Sequence, residues 1–202
     1  MTILIESQYF PPISTFALLK NANRVVIDAH SYFEKGTYRN RCHILGANGK
    51  QRLSVPLVKG KHQKTPMSDV LISFDENWKK HHWQSFVTAY SRSPFFMFYA
   101  DELKELFFKP YSHLLHLNQH MLLWLIDQLN LSIAVDTTTA YVEQSEANFD
   151  YRNVIHPQKK KMRLNVNHKA YEQVFADKHE FQPNLSILDL LFTQGPNATA
   201  YF

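Results

Sequence analysis

Residues 2–28 read TILIESQYFPPISTFALLKNANRVVID. Two short apolar runs, at residues 2–6 and 24–28, are rich in β-branched side chains and bounded by polar ones. That is the pattern of strands buried on both faces. Between them Pro11 and Pro12 break the chain, and proline is well tolerated at the start of a helix. The spacing predicts a turn, a helix of about ten residues beginning PPISTFALLKNA, and a second strand. Strand, helix and strand in that order form a βαβ crossover, which implies parallel pairing and an α/β fold.

Downstream, residues 41–57 read RCHILGANGKQRLSVPL. Cys42, Ile44, Leu53, Val55 and Leu57 alternate around Asn48-Gly49, which predicts a β-hairpin. Pro56 ends its second strand or places it at an edge. Residues 59–64 read as a mobile basic loop, and DVLISF as a further strand. From Asp75 the period becomes helical, with Asp75 as N-cap and Trp78, His82, Ser85 and Phe86 on one side. Ser93-Pro94 ends that helix. Residues 100–131 continue as helices broken at Pro110, and Leu114, Leu117, Met121, Trp124, Leu125 and Gln128 share one face. SIAVDTTTAYV reads as a strand and its exit. Residues 144–168 are polar and basic and read as a long loop or lid. The tail opens on Asn184 or Ser186 as a cap, carries Leu at helical spacing and stops at Gly195-Pro196. The expected architecture is one α/β domain over residues 1–202. It has a mixed, mostly parallel sheet with a Rossmann-like start, a hairpin extension, a helical middle and a closing C-terminal helix.

The bulk composition narrows the function. A chain of 202 residues suits one well-filled core. With 5 Gly, and neither GxGxxG nor GxxxxGK[ST], a glycine-rich phosphate loop is not expected. A single Cys excludes an internal disulfide framework and a cysteine-rich zinc site. Cys42 itself alternates onto the apolar side of the hairpin, as a structural thiol does. The net charge of +4 suits an anionic ligand and is too small to argue for nucleic acid. The run QKKKMR at residues 158–163 lacks interleaved aromatics and any recognition motif, so no nucleic-acid partner is expected. The first residues, MTILIESQYF, do not read as a signal peptide. No run of about 18 apolar residues exists to span a membrane. A cytoplasmic location is the expectation.

In order along the chain, QYFPPISTFALL, VVIDAHSYFEKGTYRNRCHI, GANGK, LSVPL, W-K-K-H-H-W, AY-SPFFMFY, LHLN, DYRN-I-P, YEQVF and FQPNLSILDLLF-QGPNA resemble the WbqC-like family of bacterial proteins. The LSILDLLF–GP ending resembles the Bacteroidetes-type branch. The resemblance implies a setting in O-antigen or other surface-polysaccharide assembly, and acyl or aminoacyl (glycine) transfer to a sugar.

Several residues are candidates for the chemistry. If residues 35–41 are extended, Lys35, Arg39 and Arg41 share one side and form an anion-binding wall; a solvated hairpin face is the alternative. Asn40 has the opposite parity and would support the site by satisfying buried backbone groups. Asp28 ends a parallel strand, where α/β folds place ligands, and is a candidate base or hydroxyl acceptor. His82 is the best proton shuttle, with a satisfied core histidine as the bland reading; the family pattern selects it over His81. Gln8 and Tyr9 sit on a strand-to-helix turn laid out like that of nucleotidyltransferases, but without the His pair, so that catalysis does not transfer. The stripe His113, His116 and His120 reads as a polar helix border, and no metal site is expected. The expected ligand is a small anion, a nucleotide-sugar or an acyl donor, bound by a transferase; no cofactor or oligomeric state is implied. A non-catalytic ligand-binding or scaffold protein of the same pathway is the alternative, and a nucleotidyltransferase-like enzyme the third. An enzyme should bring Asp28, Arg41 and His82 together in one pocket.

Overall fold

The computed structural model describes residues 1–58, 64–143, 149–158, 162, 164, 166 and 168–202. β1 (Thr2–Glu6) and β2 (Arg24–Asp28) pair in parallel, from Thr2 opposite Arg24 to Glu6 opposite Asp28. The crossover is α1 (Ile13–Leu19), seven residues long. Its amino end takes no cap from its own side chains; Asn184 Oδ1 accepts from the Ser14 N–H at 2.9 Å. Phe10 has a positive φ of 40°, and its buried ring packs edge-on against Tyr9 and Phe86. β5 (Ala134–Thr137) adds to the far side of β2, also in parallel. A one-residue parallel bridge between Leu4 and Asp150 extends the other side of β1. The Leu4 N–H donates to the Phe149 carbonyl and the Tyr151 N–H to the Leu4 carbonyl.

β3 (Arg41–Gly46) and β4 (Gly49–Ser54) form the expected antiparallel hairpin. Cys42, Ile44, Leu53 and Val55 are buried, as the alternation predicts. The turn itself is Ala47-Asn48, one residue earlier than the Asn-Gly reading, and Gly49 opens β4 with a φ of 99°. Just before the hairpin the expected extended run is absent. Gly36 turns the chain at a φ of 88°, and Thr37 Oγ1 accepts from the Arg39 N–H to start a single 3-10 turn over Tyr38–Asn40. Lys35, Arg39 and Arg41 therefore do not share a side: Lys35 is exposed, Arg39 is buried and Arg41 is half-buried.

The residues of DVLISF form no continuous strand. Leu71 bridges His113, Ile72 bridges Leu57, and the chain is bound on both sides one residue at a time. Asp75 is not a cap, because its carboxylate accepts from Ser73 Oγ. α2 (Trp78–Tyr90) begins after Asn77. α3 (Phe96–Phe108) and α4 (Leu114–Gln128) flank Pro110. α5 (Ile187–Gln194) is capped by Ser186 Oγ. Gly195 follows with a φ of 54°, and a Cβ there would lie 2.5 Å from the Phe95 ring. The core is unusually aromatic: Phe10 meets Phe86 edge-on at 5.4 Å and Trp78 meets Phe107 at 5.7 Å, geometries that the ring quadrupole favours. Residues 59–63 of the basic loop and 144–148, 159–161, 163, 165 and 167 of the lid lie outside the described residues. No helix among the described residues is long and apolar enough to cross a membrane.

Candidate functional site

The parallel register sets two carboxylates side by side at the carboxyl end of the sheet, Glu6 on β1 and Asp28 on β2. Both are buried, with 2% and 1% exposure. Each survives burial because its oxygens are saturated by donors, the condition under which a buried charge is tolerated.

Asp28 Oδ1 accepts from the His30 and Ser31 N–H groups, both at 2.9 Å. Oδ2 accepts from Ser31 Oγ and from Arg152 Nη1, the latter at 2.7 Å. Burial works to raise its pKa, but the bonds from Ser31 and Arg152 overcome it and hold the carboxyl below its ordinary value. Arg152 also forks onto Asp150, with Nη2 2.7 Å and Nε 3.0 Å from its two oxygens. Those bonds raise the guanidinium pKa further.

Glu6 carries the second half. Its Oε1 accepts from Gln8 Nε2 at 2.7 Å and its Oε2 from the Asn153 N–H at 2.8 Å. Gln8 Oε1 in turn accepts from Thr15 Oγ1 on α1 at 2.6 Å. Asn153 Oδ1 accepts from Arg39 Nη2 at 3.0 Å. Asn118 on α4 donates to Ser7 Oγ and to the Arg39 carbonyl. The short segment 150–153 thus binds both carboxylates of the sheet end. Two buried atoms there lack a hydrogen-bond partner among the described residues, Arg39 Nη1 and Asn118 Oδ1. The nearest carboxylate oxygen to that Nη1 is Glu34's, at 3.9 Å. Buried polar atoms without partners are uncommon and mark places where a ligand or water belongs.

The other candidate residues have hydrogen-bond partners or neighbours of their own. Tyr9 is fully buried, and its hydroxyl is 2.8 Å from His82 Nδ1. His82 is 5% exposed and packs edge-on against Trp78 at 5.1 Å. Burial pulls its pKa down to about 4, against a hydrogen bond to the Ser54 backbone. At neutral pH it is an uncharged core imidazole. Its partners are Tyr9 and Ser54, whereas those of Asp28 are His30, Ser31 and Arg152, so the two residues share no hydrogen-bond partner. The turn from Gln8 to Pro12, the nucleotide seat that the nucleotidyltransferase reading needs, is buried along its length. Asn40 donates from Nδ2 to the Val55 carbonyl at 2.9 Å, and its own carbonyl accepts from the Val55 N–H. Arg41 stands on the hairpin, half-desolvated, beside Arg52. Among the described residues no group of three or more His, Cys, Asp or Glu is placed to hold a metal ion. His113 and His116 face each other at 5.3 Å, and His120 packs on Tyr111.

Reading the residues one element at a time missed Glu6, Asp150, Arg152 and Asn153. The last three sat inside a polar stretch read as a loop, although DYRN stood among the family-matching segments.

Comparison with known proteins agrees with the sequence resemblance. The WbqC-like protein family matches residues 6–163 and 158–201. An uncharacterized protein of Mycobacterium tuberculosis (strain ATCC 25618 / H37Rv), Rv1507c, is 26% identical over 228 aligned positions, covering 98% of this chain and 95% of that protein. No solved structure matches the chain. With the family match running nearly from end to end, the chain belongs to the WbqC-like protein family.

Proposed function

We propose that the chain is a cytoplasmic transferase acting on an activated sugar or a related anionic metabolite in bacterial surface-polysaccharide assembly, by acyl or aminoacyl transfer. The observation that carries this reading is the buried constellation at the carboxyl end of the parallel sheet, where open α/β sheets bind ligands. Arg39 Nη1 is a buried cationic donor with an unfilled hydrogen bond, suited to a carboxylate or phosphate oxygen. Exposed Lys35 adds a point charge four residues earlier. Asp28 is held ionised, and Ser31 Oγ occupies one of its oxygens. An acceptor hydroxyl taking the place of Ser31 would rest on that carboxylate, which receives its proton as the hydroxyl oxygen attacks the donor's acyl carbon; the acyl–carrier bond then breaks and the carrier leaves with its electron pair. Gln8 and Asn40 hold the walls through their bonds to Glu6, Thr15 and Val55. Tyr9 and His82 support the site from the core.

Thermal-shift measurements with nucleotides, nucleotide-sugars and acyl donors test the reading, because a ligand that binds only the native state raises Tm. One of the donor classes should raise Tm in the native chain, and Arg39→Met should abolish the rise. No response to any donor, or an equal response in the variant, would refute it. A second reading, a scaffold of the same pathway, is favoured by one observation: Met97 and Phe98 on α3 are 75% and 79% exposed. A scaffold would lose partner binding, and no ligand-dependent Tm rise, in Met97→Ser/Phe98→Ser.

A further inference from the structure

One face of the hairpin is cationic, and among the described residues no carboxylate forms an ion pair with it. The register sets Arg41 opposite Ser54, His43 opposite Arg52 and Leu45 opposite Lys50. Alternation along each strand puts Arg41, His43, Lys50 and Arg52 on the same side. The charges acting on His43 are those of Lys50, Arg41 and Arg52, and the charge acting on Arg41 is that of Arg52. All three are positive, and across the strands they face Ser54, Leu45 and His43, so none of them is paired with an acid. Three buried atoms on this face also lack hydrogen-bond partners among the described residues: Arg41 Nε, His43 Nδ1 and Ser54 Oγ.

A cleft of about 270 Å³ opens beside this face. Its lining includes Tyr38, Lys50, His156, Leu164, His168 and Asn184. Lys50 belongs to both the cleft and the cationic face. The Tyr38 ring connects them as well, standing edge-on to His43 at 5.8 Å. Within the cleft the buried Nδ1 of His168 has no hydrogen-bond partner among the described residues. Among the described residues the lining therefore joins one cation, Lys50, to an aromatic ring, aliphatic side chains, two imidazoles and an amide.

We propose that the hairpin face and this cleft bind a phosphate monoester of a small ring-bearing metabolite. The phosphate sits among Lys50, His43 and Arg52, where its oxygens neutralise the two cations and accept a hydrogen bond from His43 Nδ1. The ring enters the cleft against Tyr38 and Leu164, with a hydroxyl or ring nitrogen at His168. A dianion removes the repulsion among the cations, so binding also stabilises the hairpin. The inference stands on this face alone and does not depend on the transfer reaction proposed above.

The test is titration of the full chain, with ionic strength held constant by sodium chloride, while the imidazole resonances of His43 and His168 are followed by NMR. Inorganic phosphate, glucose 1-phosphate and UMP serve as probes. Both resonances should shift saturably with at least one ester, and the esters should bind more tightly than inorganic phosphate. The stronger ester identifies a sugar or a nucleoside as the ring. Lys50→Gln/Arg52→Gln changes two exposed side chains. It should weaken ester binding by about tenfold or more, while Lys104→Gln, on α3, should leave it unchanged. The proposal is overturned by unchanged affinity in the double variant, by no saturable shift below about 10 mM, or by inorganic phosphate binding as tightly as both esters. Loss of donor response in Arg39→Met with intact ester binding at the hairpin would leave both sites standing separately.

Discussion

Replacing Arg152 by Met takes a guanidinium from between two buried carboxylates. The Arg152 side chain is 7% exposed, and those of Asp28 and Asp150 are 0% and 5%. Arg152 donates to both, from Nη1 at 2.7 Å to Asp28 and from Nη2 at 2.7 Å to Asp150. Without it, two charges remain buried with no cation bonded to them. Removing one member of such a pair costs about 3–5 kcal/mol. For a chain of this size that lowers Tm by about 6–20 °C. The pH dependence separates this cause from a simple packing loss. In the native protein the Asp28 pKa is depressed. Its contribution is therefore complete above the unfolded value of about 3.9 and is lost only as pH falls through the lower folded value. In Arg152→Met one of the bonds that oppose burial is gone, so the Asp28 pKa rises from its depressed value and the folded state takes up a proton at a higher pH than the native protein does. The deficit relative to the native protein should be larger at pH 7 than at pH 5, measured by urea denaturation at both. A second substitution, Asp28→Asn, should recover part of the loss at pH 7 by removing the stranded charge. A deficit below about 1 kcal/mol at pH 7, or the same deficit at both pH values, would show that Arg152 does not neutralise a buried charge.

Two further outcomes are expected. The pKa of His82 is pulled down to about 4 by burial. Its contribution to stability is complete above the unfolded value of about 6.5 and is lost as pH falls toward 4, by up to about 3 kcal/mol. His82→Gln should flatten the stability profile over that interval in urea melts, and an unchanged profile would place the titration elsewhere. Asp189 is fully buried on α5 and accepts from Tyr90 at 2.8 Å and Tyr171 at 2.6 Å. Tyr90→Phe and Tyr171→Phe should each cost about 1.5–3 kcal/mol. Because they share one carboxylate, the double variant should depart from the sum of the singles by about 0.5 kcal/mol or more. Additive losses would mean that the two hydroxyls act independently.

Local chemistry was sufficient where each residue's role depends on its neighbours in the chain. β1 and β2 follow from β-branched runs bounded by polar residues, and the order of strand, helix and strand dictates their parallel pairing. The hairpin follows from two-residue alternation of Cys42, Ile44, Leu53 and Val55, whatever the position of the turn. Ser186 caps α5 and Gly195 ends it, both through bonds and dihedral angles set within a few residues. Where a local reading failed, a local signal was usually present and outweighed. Gly36 and Thr37 bend the chain into a 3-10 turn, so the basic run from Lys35 to Arg41 could not keep one side.

The candidate site is different in kind. Taken alone, Arg39, Asp150 and Arg152 read as solvated charges, because an isolated charge has no reason to leave water. Arg39 and Arg152 are buried only because partners arrive from elsewhere, and Asp150 is held by Arg152. Asn153 reaches Arg39 across 114 residues, and Arg152 reaches Asp28 across 124. Glu6 and Asp28 become neighbours through strand register, and segment 150–153 joins them by pairing beside β1. The amino-acid sequence by itself determined the elements and the parallel βαβ start. Only the tertiary structure decided which charges are buried, because the cost of burying a charge is set by the opposite charges and donors around it in space.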